Sequence, residues 1–190
     1  MITSNKGINL IKSFEGLRLA SYQDSGGVWT IGYGHTSGVT PGMTITEYQA
    51  LLYLKEDLKS AERYVNAYVG VYGLNQNQFD ALVSFTYNAG CGNLKKRLIN
   101  YGKKPLALVR ADLPETCIKA GGKTLTGLIK RREKEAELMG DCREPLPVVA
   151  QQVLDGLWGN GLLRKRQLTD AGYDYQEVQL AVNQLVGEKK

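Results

Sequence analysis

Glu15, Asp24 and Thr30 are the residues of this chain best suited, by type and spacing, to chemistry. They are two carboxyls nine positions apart, with a hydroxyl six positions further on. Hydrolysis of a glycosidic bond needs a proton for the leaving oxygen. It also needs a negative group, to stabilise positive charge at the sugar carbon or to activate water. Two carboxyl groups across a cleft supply both, provided one is held protonated by burial and the other stays ionised in a wetter setting. Glu15 follows the apolar Phe14, whereas Asp24 stands beside Ser25, Gly26 and Gly27. A threonine hydroxyl donates and accepts, so Thr30 can hold a water. Spacing alone leaves a second reading open, a solvated surface pair of ordinary carboxylates.

The elements around these residues follow from pattern. Residues 5–14 have helical spacing with Ile8, Ile11 and Phe14 on one side, and Ser4 is placed to cap them. Residues 17–45 mix glycines with Val28, Trp29, Thr30, Ile31 and Tyr33, a composition of short strands and tight turns. A helix end, a turn and a strand can therefore converge on one cleft wall. Thr46 and Gln49 fit a capping box. The stripe Leu51, Leu54, Leu58, Ala61, Val65 follows. A further helix is expected from Asn75 to Gly90, with shorter ones at 93–101 and 105–113. Gly121 and Gly122 break the chain, and a helix over 124–139 closes at Gly140. Residues 141–147, rich in proline, read as a linker. Beyond it, 148–187 predict three short helices. Val149, Val153 and Leu157 form one stripe, Asp174 caps the last helix, and Trp158 and Tyr173 supply core.

Composition narrows the function classes. The chain has 190 residues, 43% of them apolar, enough for one medium domain and a small appendage. The net charge is +5, and residues 148–190 balance to zero, so the excess lies in 1–147. A basic surface attracts polyanions, among which charge alone does not choose between nucleic acid and an anionic wall. No nucleic-acid fold signature accompanies the charge. No run is long and apolar enough for a bilayer span, and the first residues read as neither signal peptide nor anchor. With His35 the only histidine, a zinc site is not expected. Cys91, Cys117 and Cys142 read as reduced thiols, with one disulfide left open.

The string FEGLRLASYQDSGGVWTIGYGHT, Phe14 to Thr36, resembles the active-site segment of phage-type lysozymes, glycoside hydrolase family twenty-four. QFDALVSFTYNAG (78–90) and GLIKRREKEAELM (127–139) are similar to later segments of that family, and the resemblance spans residues 4–140. It implies an α+β, lysozyme-like two-lobed domain, with a small β-hairpin or sheet and a helical lobe about a polysaccharide cleft, over residues 1–140. It implies a muramidase that cuts the β-1,4 bond between N-acetylmuramic acid and N-acetylglucosamine, with inversion and no cofactor or metal. Glu15 would be the general acid. Asp24 would orient or activate water or stabilise the cationic transition state, and Thr30 would position the water. His35 is a candidate to touch substrate, with a structural hydrogen-bonding role as the other reading. Trp29 and Tyr33 stack on sugars or pack in the core. Arg131 and Arg132 line the cleft or pair with Glu133 or Glu135.

Residues 150–187 resemble the CW-seven cell-wall-binding repeat through VLDGLWGNG, Arg164 and AGYDYQEVQLAVNQLVG. That resemblance implies a muropeptide-binding module at 148–187, with Asp155, Asn160 and Arg164 as contacts. A single copy lacks the avidity of an array. The combined expectation is an endolysin made in the host bacterial cytoplasm, with no signal peptide or anchor. It would reach peptidoglycan after release by a separate membrane-permeabilising partner, a holin. Its partners would be the glycan strand and the muropeptide, with no nucleic acid. Lytic transglycosylation and a catalytically weak wall-binding protein are the alternatives.

Overall fold

The computed structural model describes residues 1–24 and 26–187, and these form an α+β protein with two small two-stranded sheets. The chain divides into two compact units, Met1–Cys91 and Gly92–Lys190.

In the first unit, helix α1 (Asn5–Glu15) starts as expected at Ser4, whose hydroxyl accepts from the Lys6 and Gly7 amides. Its buried side is Gly7, Ile8 and Ile11, while Phe14 is only half-buried. The helix stops because Gly16 adopts φ 71°, a left-handed value that favours glycine. Strands β1 (Arg18–Gln23) and β2 (Trp29–Gly32) then pair antiparallel, with Tyr22 opposite Thr30 and Gln23 opposite Trp29. Beyond β2, Ile31 and His35 exchange backbone hydrogen bonds of 2.9 Å each, closing a tight loop over Gly32 and Gly34.

Helix α2 (Glu47–Asn66) carries the expected capping box at Thr46 and Gln49. Its buried stripe is Ala50, Leu54, Leu58, Ala61 and Val65. Leu51, expected in that stripe, is half-buried, because the step of four from Leu54 brings Ala50 inward and leaves Leu51 at its edge. A short helix α3 (Val69–Tyr72) follows, which the pattern did not announce. Helix α4 (Gln76–Ala89) is buried without interruption from Gln78 to Thr86, and α1 and α2 pack on it. Its buried carboxylate, Asp80, accepts from the Ser4 amide at 3.0 Å, from the Ser4 hydroxyl, and from Gln76 Nε2 at 2.8 Å. This joins the start of α1 to α4.

The second unit begins within α5 (Cys91–Asn93) and continues with a π-helix (Leu94–Leu98) and a 3-10 turn (Asn100–Gly102). The expected single helix over 93–101 is broken here, because Asn100 and Tyr101 take φ of 44° and 57°. Helix α6 (Leu106–Asp112) follows Pro105 as expected. The glycine break is a hairpin of β3 (Lys119–Ala120) and β4 (Lys123–Thr124) turning at Gly121 and Gly122. Helix α7 (Thr126–Met139) ends at Gly140 with φ 70°. On it, Arg131 and Arg132 both pair with the fully buried Glu135, at 3.3 and 3.2 Å. Glu133 is exposed.

Helices α8 (Leu146–Leu154), α9 (Gly161–Asp170) and α10 (Tyr175–Gly187) complete the unit. Asp174 caps α10, accepting from the Gln176 and Glu177 amides at 2.8 and 2.9 Å. Trp158 is fully buried and meets Tyr173 edge-on, with ring centroids 5.6 Å apart. Leu157 is exposed, outside its expected stripe, because α8 ends at Leu154 and Gly156 turns the chain with φ 77°. The segment read as a linker is tied down. The Glu144 amide donates to the Tyr173 hydroxyl at 2.7 Å, and Glu144 accepts from Gln152 at 2.5 Å. Gln152 in turn accepts from the Trp158 indole at 3.1 Å. Cys91, Cys117 and Cys142 are free thiols.

Candidate functional site

Glu15 is the last residue of α1, half-buried, where the helix gives way to Gly16. It lines a cleft of about 340 Å³ in the first unit, together with Gly34, Thr36, Asp57, Tyr87 and Asn88. Four elements supply this lining: the end of α1, the loop after β2, and the helices α2 and α4. Each side chain other than glycine offers oxygen or nitrogen to a ligand, a surface suited to the hydroxyls and amides of a sugar chain. Tyr87 also donates its hydroxyl to the Tyr33 carbonyl at 3.1 Å, bracing α4 against the loop that carries Gly34.

Asp24 and Thr30 sit together on the β1–β2 hairpin. Asp24 is exposed, and its Oδ1 accepts from the Gly26 and Val28 amides at 2.8 and 2.9 Å. These bonds fix the carboxylate against its own turn. Thr30 is buried and donates to the Val28 carbonyl at 3.0 Å, which leaves its lone pairs to accept. The Asp24 amide donates to Val28 and so continues the register in which Tyr22 faces Thr30. Asp24 and Thr30 are therefore diagonal neighbours on one face, a placement that sets residues roughly 7–8 Å apart in a regular ladder, with Cβ atoms somewhat closer. Neither is among the described residues that line the Glu15 cleft. Ser25, read as part of the solvated turn at Asp24, lies outside the described residues.

His35 is buried, and both of its ring nitrogens face acceptors. Nδ1 lies 2.9 and 3.0 Å from the Asp57 carboxylate oxygens, and Nε2 donates to the Ser37 carbonyl at 2.9 Å. The ring stacks on Tyr53 at 4.3 Å. It is Asp57, not the imidazole, that lines the cleft. Sequence reasoning missed Asp57, although a signal existed. Asp57 stands three residues after Leu54 and seven after Ala50, so a carboxylate shares the phase of an apolar stripe. Of the aromatic candidates, Tyr33 is buried and Trp29 half-buried.

In the C-terminal segment, Arg164 donates to the Gly159 carbonyl at 3.1 Å and to Asn160 Oδ1 at 3.0 Å. Asp155 is exposed and accepts from Gln151 at 2.8 Å. Arg164 and Asn160 thus come together across the turn that starts α9, and Asp155 stands on the preceding one. Among the described residues, no group of three or more His, Cys, Asp or Glu is placed to hold a metal ion. No helix among them is long and apolar enough to cross a membrane.

Residues 12–135 match the sequence model of the phage lysozyme family, and residues 148–186 match that of the CW_7 repeat. The endolysin of Bacillus phage PZA is 43% identical over 145 residues, covering 73% of this chain and 55% of the relative. The chain thus spans about half of that relative's length. The endolysin of Acyrthosiphon pisum secondary endosymbiont phage 1 is 41% identical over 145 residues, covering 73% of this chain and 97% of the relative. Among solved structures, the active form of the P1 phage endolysin Lyz aligns with a TM-score of 0.62 at 32% identity, covering 72% of this chain and 84% of that one.

Proposed function

The chain belongs to the phage lysozyme family, and from that premise we propose that it is an endolysin acting as a muramidase. In this reading it hydrolyses the β-1,4 bond between N-acetylmuramic acid and N-acetylglucosamine in peptidoglycan, with inversion. The observation that carries the reading is the position of Glu15, at the end of α1 in a cleft walled by hydrogen-bonding side chains.

Glu15 delivers a proton to the bridging oxygen as the bond breaks. Asp24, oriented by the Gly26 and Val28 amides, stabilises positive charge at the anomeric carbon and takes a proton from the attacking water, which Thr30 receives in a hydrogen bond. His35 acts through Asp57, fixing one wall of the cleft.

Residues 1–140 form the catalytic domain of this proposal and 141–147 its connection. Residues 148–187 form a muropeptide-binding module that uses Asp155, Asn160 and Arg164. Synthesis in the host cytoplasm and holin-dependent release complete the proposal. The test is Glu15→Gln. It should abolish turbidity loss of purified walls while leaving wall binding intact, and equal lysis by the variant would overturn the acid's assignment. Because Asp24 and Thr30 do not line the Glu15 cleft, lytic transglycosylation stands as the second reading. Mass spectrometry separates the two, since anhydro-sugar ends on the released fragments would refute hydrolysis.

A further inference from the structure

Charge is unevenly distributed along this chain. Residues 92–140 hold twelve Lys and Arg against five Asp and Glu, a net +7, whereas 1–91 and 141–190 each come to −1. Burial sharpens the contrast. Arg131, Arg132 and Glu135 are withdrawn into the interior. Eight of the remaining cations are exposed, among them Lys95, Lys96, Arg97, Lys119 and Lys123, against three exposed carboxylates, Glu115, Glu133 and Glu137.

The densest part has a local cause. Leu94 and Leu98 are buried at the two ends of the π-helix, so its widened turn presents Lys95, Lys96 and Arg97 together to solvent. π-turns are rare and concentrate at functional positions. None of the three cations has an ion-pair partner among the described residues. Three adjacent, uncompensated like charges repel one another, and an external anion relieves that repulsion.

We propose that residues 92–140 carry a polyanion-docking surface, centred on Lys95, Lys96 and Arg97, that holds the protein on phosphodiester polymers of the bacterial wall. The inference rests on the wall-acting function proposed above. A flexible phosphate polymer needs charge density and no groove. Single-stranded nucleic acid calls for aromatic platforms interleaved with the cations. Tyr101 is the only aromatic residue between 92 and 140, and Lys95 already lies over its ring at 5.2 Å. A second attachment also suits a chain with one wall-binding repeat, since two weak contacts on one polymer network reinforce each other.

The test is cosedimentation of the full chain with purified Gram-positive walls, before and after hydrofluoric acid removes their phosphodiester polymers. The chain is compared with K95E/K96E/R97E at low and at moderate salt. The triple substitution should weaken binding to intact walls about tenfold at low salt, less at moderate salt, and not at all on extracted walls. Release of reducing ends from extracted walls should be the same for both. A parallel variant on the β3–β4 hairpin, K119E/K123E, should weaken binding in the same direction and carries the test if the triple variant does not fold. Binding unaffected by extraction or by the substitutions would overturn the proposal. So would tighter retention on duplex DNA than on intact walls, which would make this a nucleic-acid surface. Failure of the unsubstituted chain to release reducing ends would instead overturn the hydrolase reading.

Discussion

Replacing Asp57 by Ala removes the acceptor on which the buried His35 ring depends, and the cost can be worked from the contacts. The two side chains are 27% and 10% exposed, and Nδ1 lies within 3.0 Å of both carboxylate oxygens. A hydrogen bond to a charged group contributes about 1.5–3 kcal/mol. Partial exposure of Asp57 favours the lower half of that range, because water can take over part of the interaction. The variant also leaves Nδ1 without its acceptor inside the protein, a penalty of about 1–3 kcal/mol. Together these put Asp57→Ala at about 2.5–5 kcal/mol. Asp57→Asn should cost about half as much, since the amide oxygen can still accept from Nδ1. At about 2–4 °C per kcal/mol for a chain of this size, the alanine variant should melt roughly 5–20 °C lower. The assay is urea unfolding followed by NMR of the two indole protons, because Trp29 and Trp158 lie in different units and report separately. Trp29 should register the loss first. A double-mutant cycle with His35→Asn should return a coupling of about 1–3 kcal/mol. A cost below about 0.5 kcal/mol, or simple additivity with His35→Asn, would refute the claim that this pair braces the cleft wall.

Other perturbations test other parts of the fold. Gly7→Ala would gain about 1 kcal/mol of helix propensity in most helices. Here the new methyl would lie 2.7 Å from Asp80 Cγ and 2.8 Å from Thr3 Cγ2, so calorimetry should show a net loss of about 1–3 kcal/mol. Glu135→Gln should destabilise by about 3–5 kcal/mol in denaturant titrations, because it withdraws the charge facing two buried guanidiniums. Burial already lowers the proton affinity of one of them, Arg132. Hydrogen bonds from the Arg143 guanidinium, and then from its backbone amide, depress Asp141 to about 2 from its usual value near 3.8. The resulting stabilisation is fully present above the unfolded value and is lost as pH falls from about 4 through about 2. The pair is exposed, so the effect on stability should stay below about 1 kcal/mol, and the carboxyl carbon shift of Asp141 is the direct readout. Trp158→Ala should cost at least about 3 kcal/mol and release the Glu144–Tyr173 bond, visible as new proteolysis between 141 and 147.

Much of this molecule was legible in one dimension because its signals are local. Ser4, Thr46 and Asp174 accept from amides two or three positions along, so their caps follow from neighbouring residues alone. Gly140 ends its helix for the same kind of reason, and the periodic stripe of α2 states which side turns inward. Glu15, Asp24 and Thr30 were selected by type, spacing and resemblance, without any knowledge of their surroundings.

What tertiary structure decided concerns partners distant along the chain. Asp80 had to meet Ser4 across 76 positions before its burial made sense. Asp57 had to meet His35 across 22 positions before a helix carboxylate became part of a cleft wall. The segment 141–147 had the composition of a linker, but Tyr173 and Gln152 supply bonds that no neighbouring residue could announce. Local hydrogen bonding and periodicity are written within a turn or two of chain. Burial and electrostatic pairing between remote residues arise only when packing brings them together.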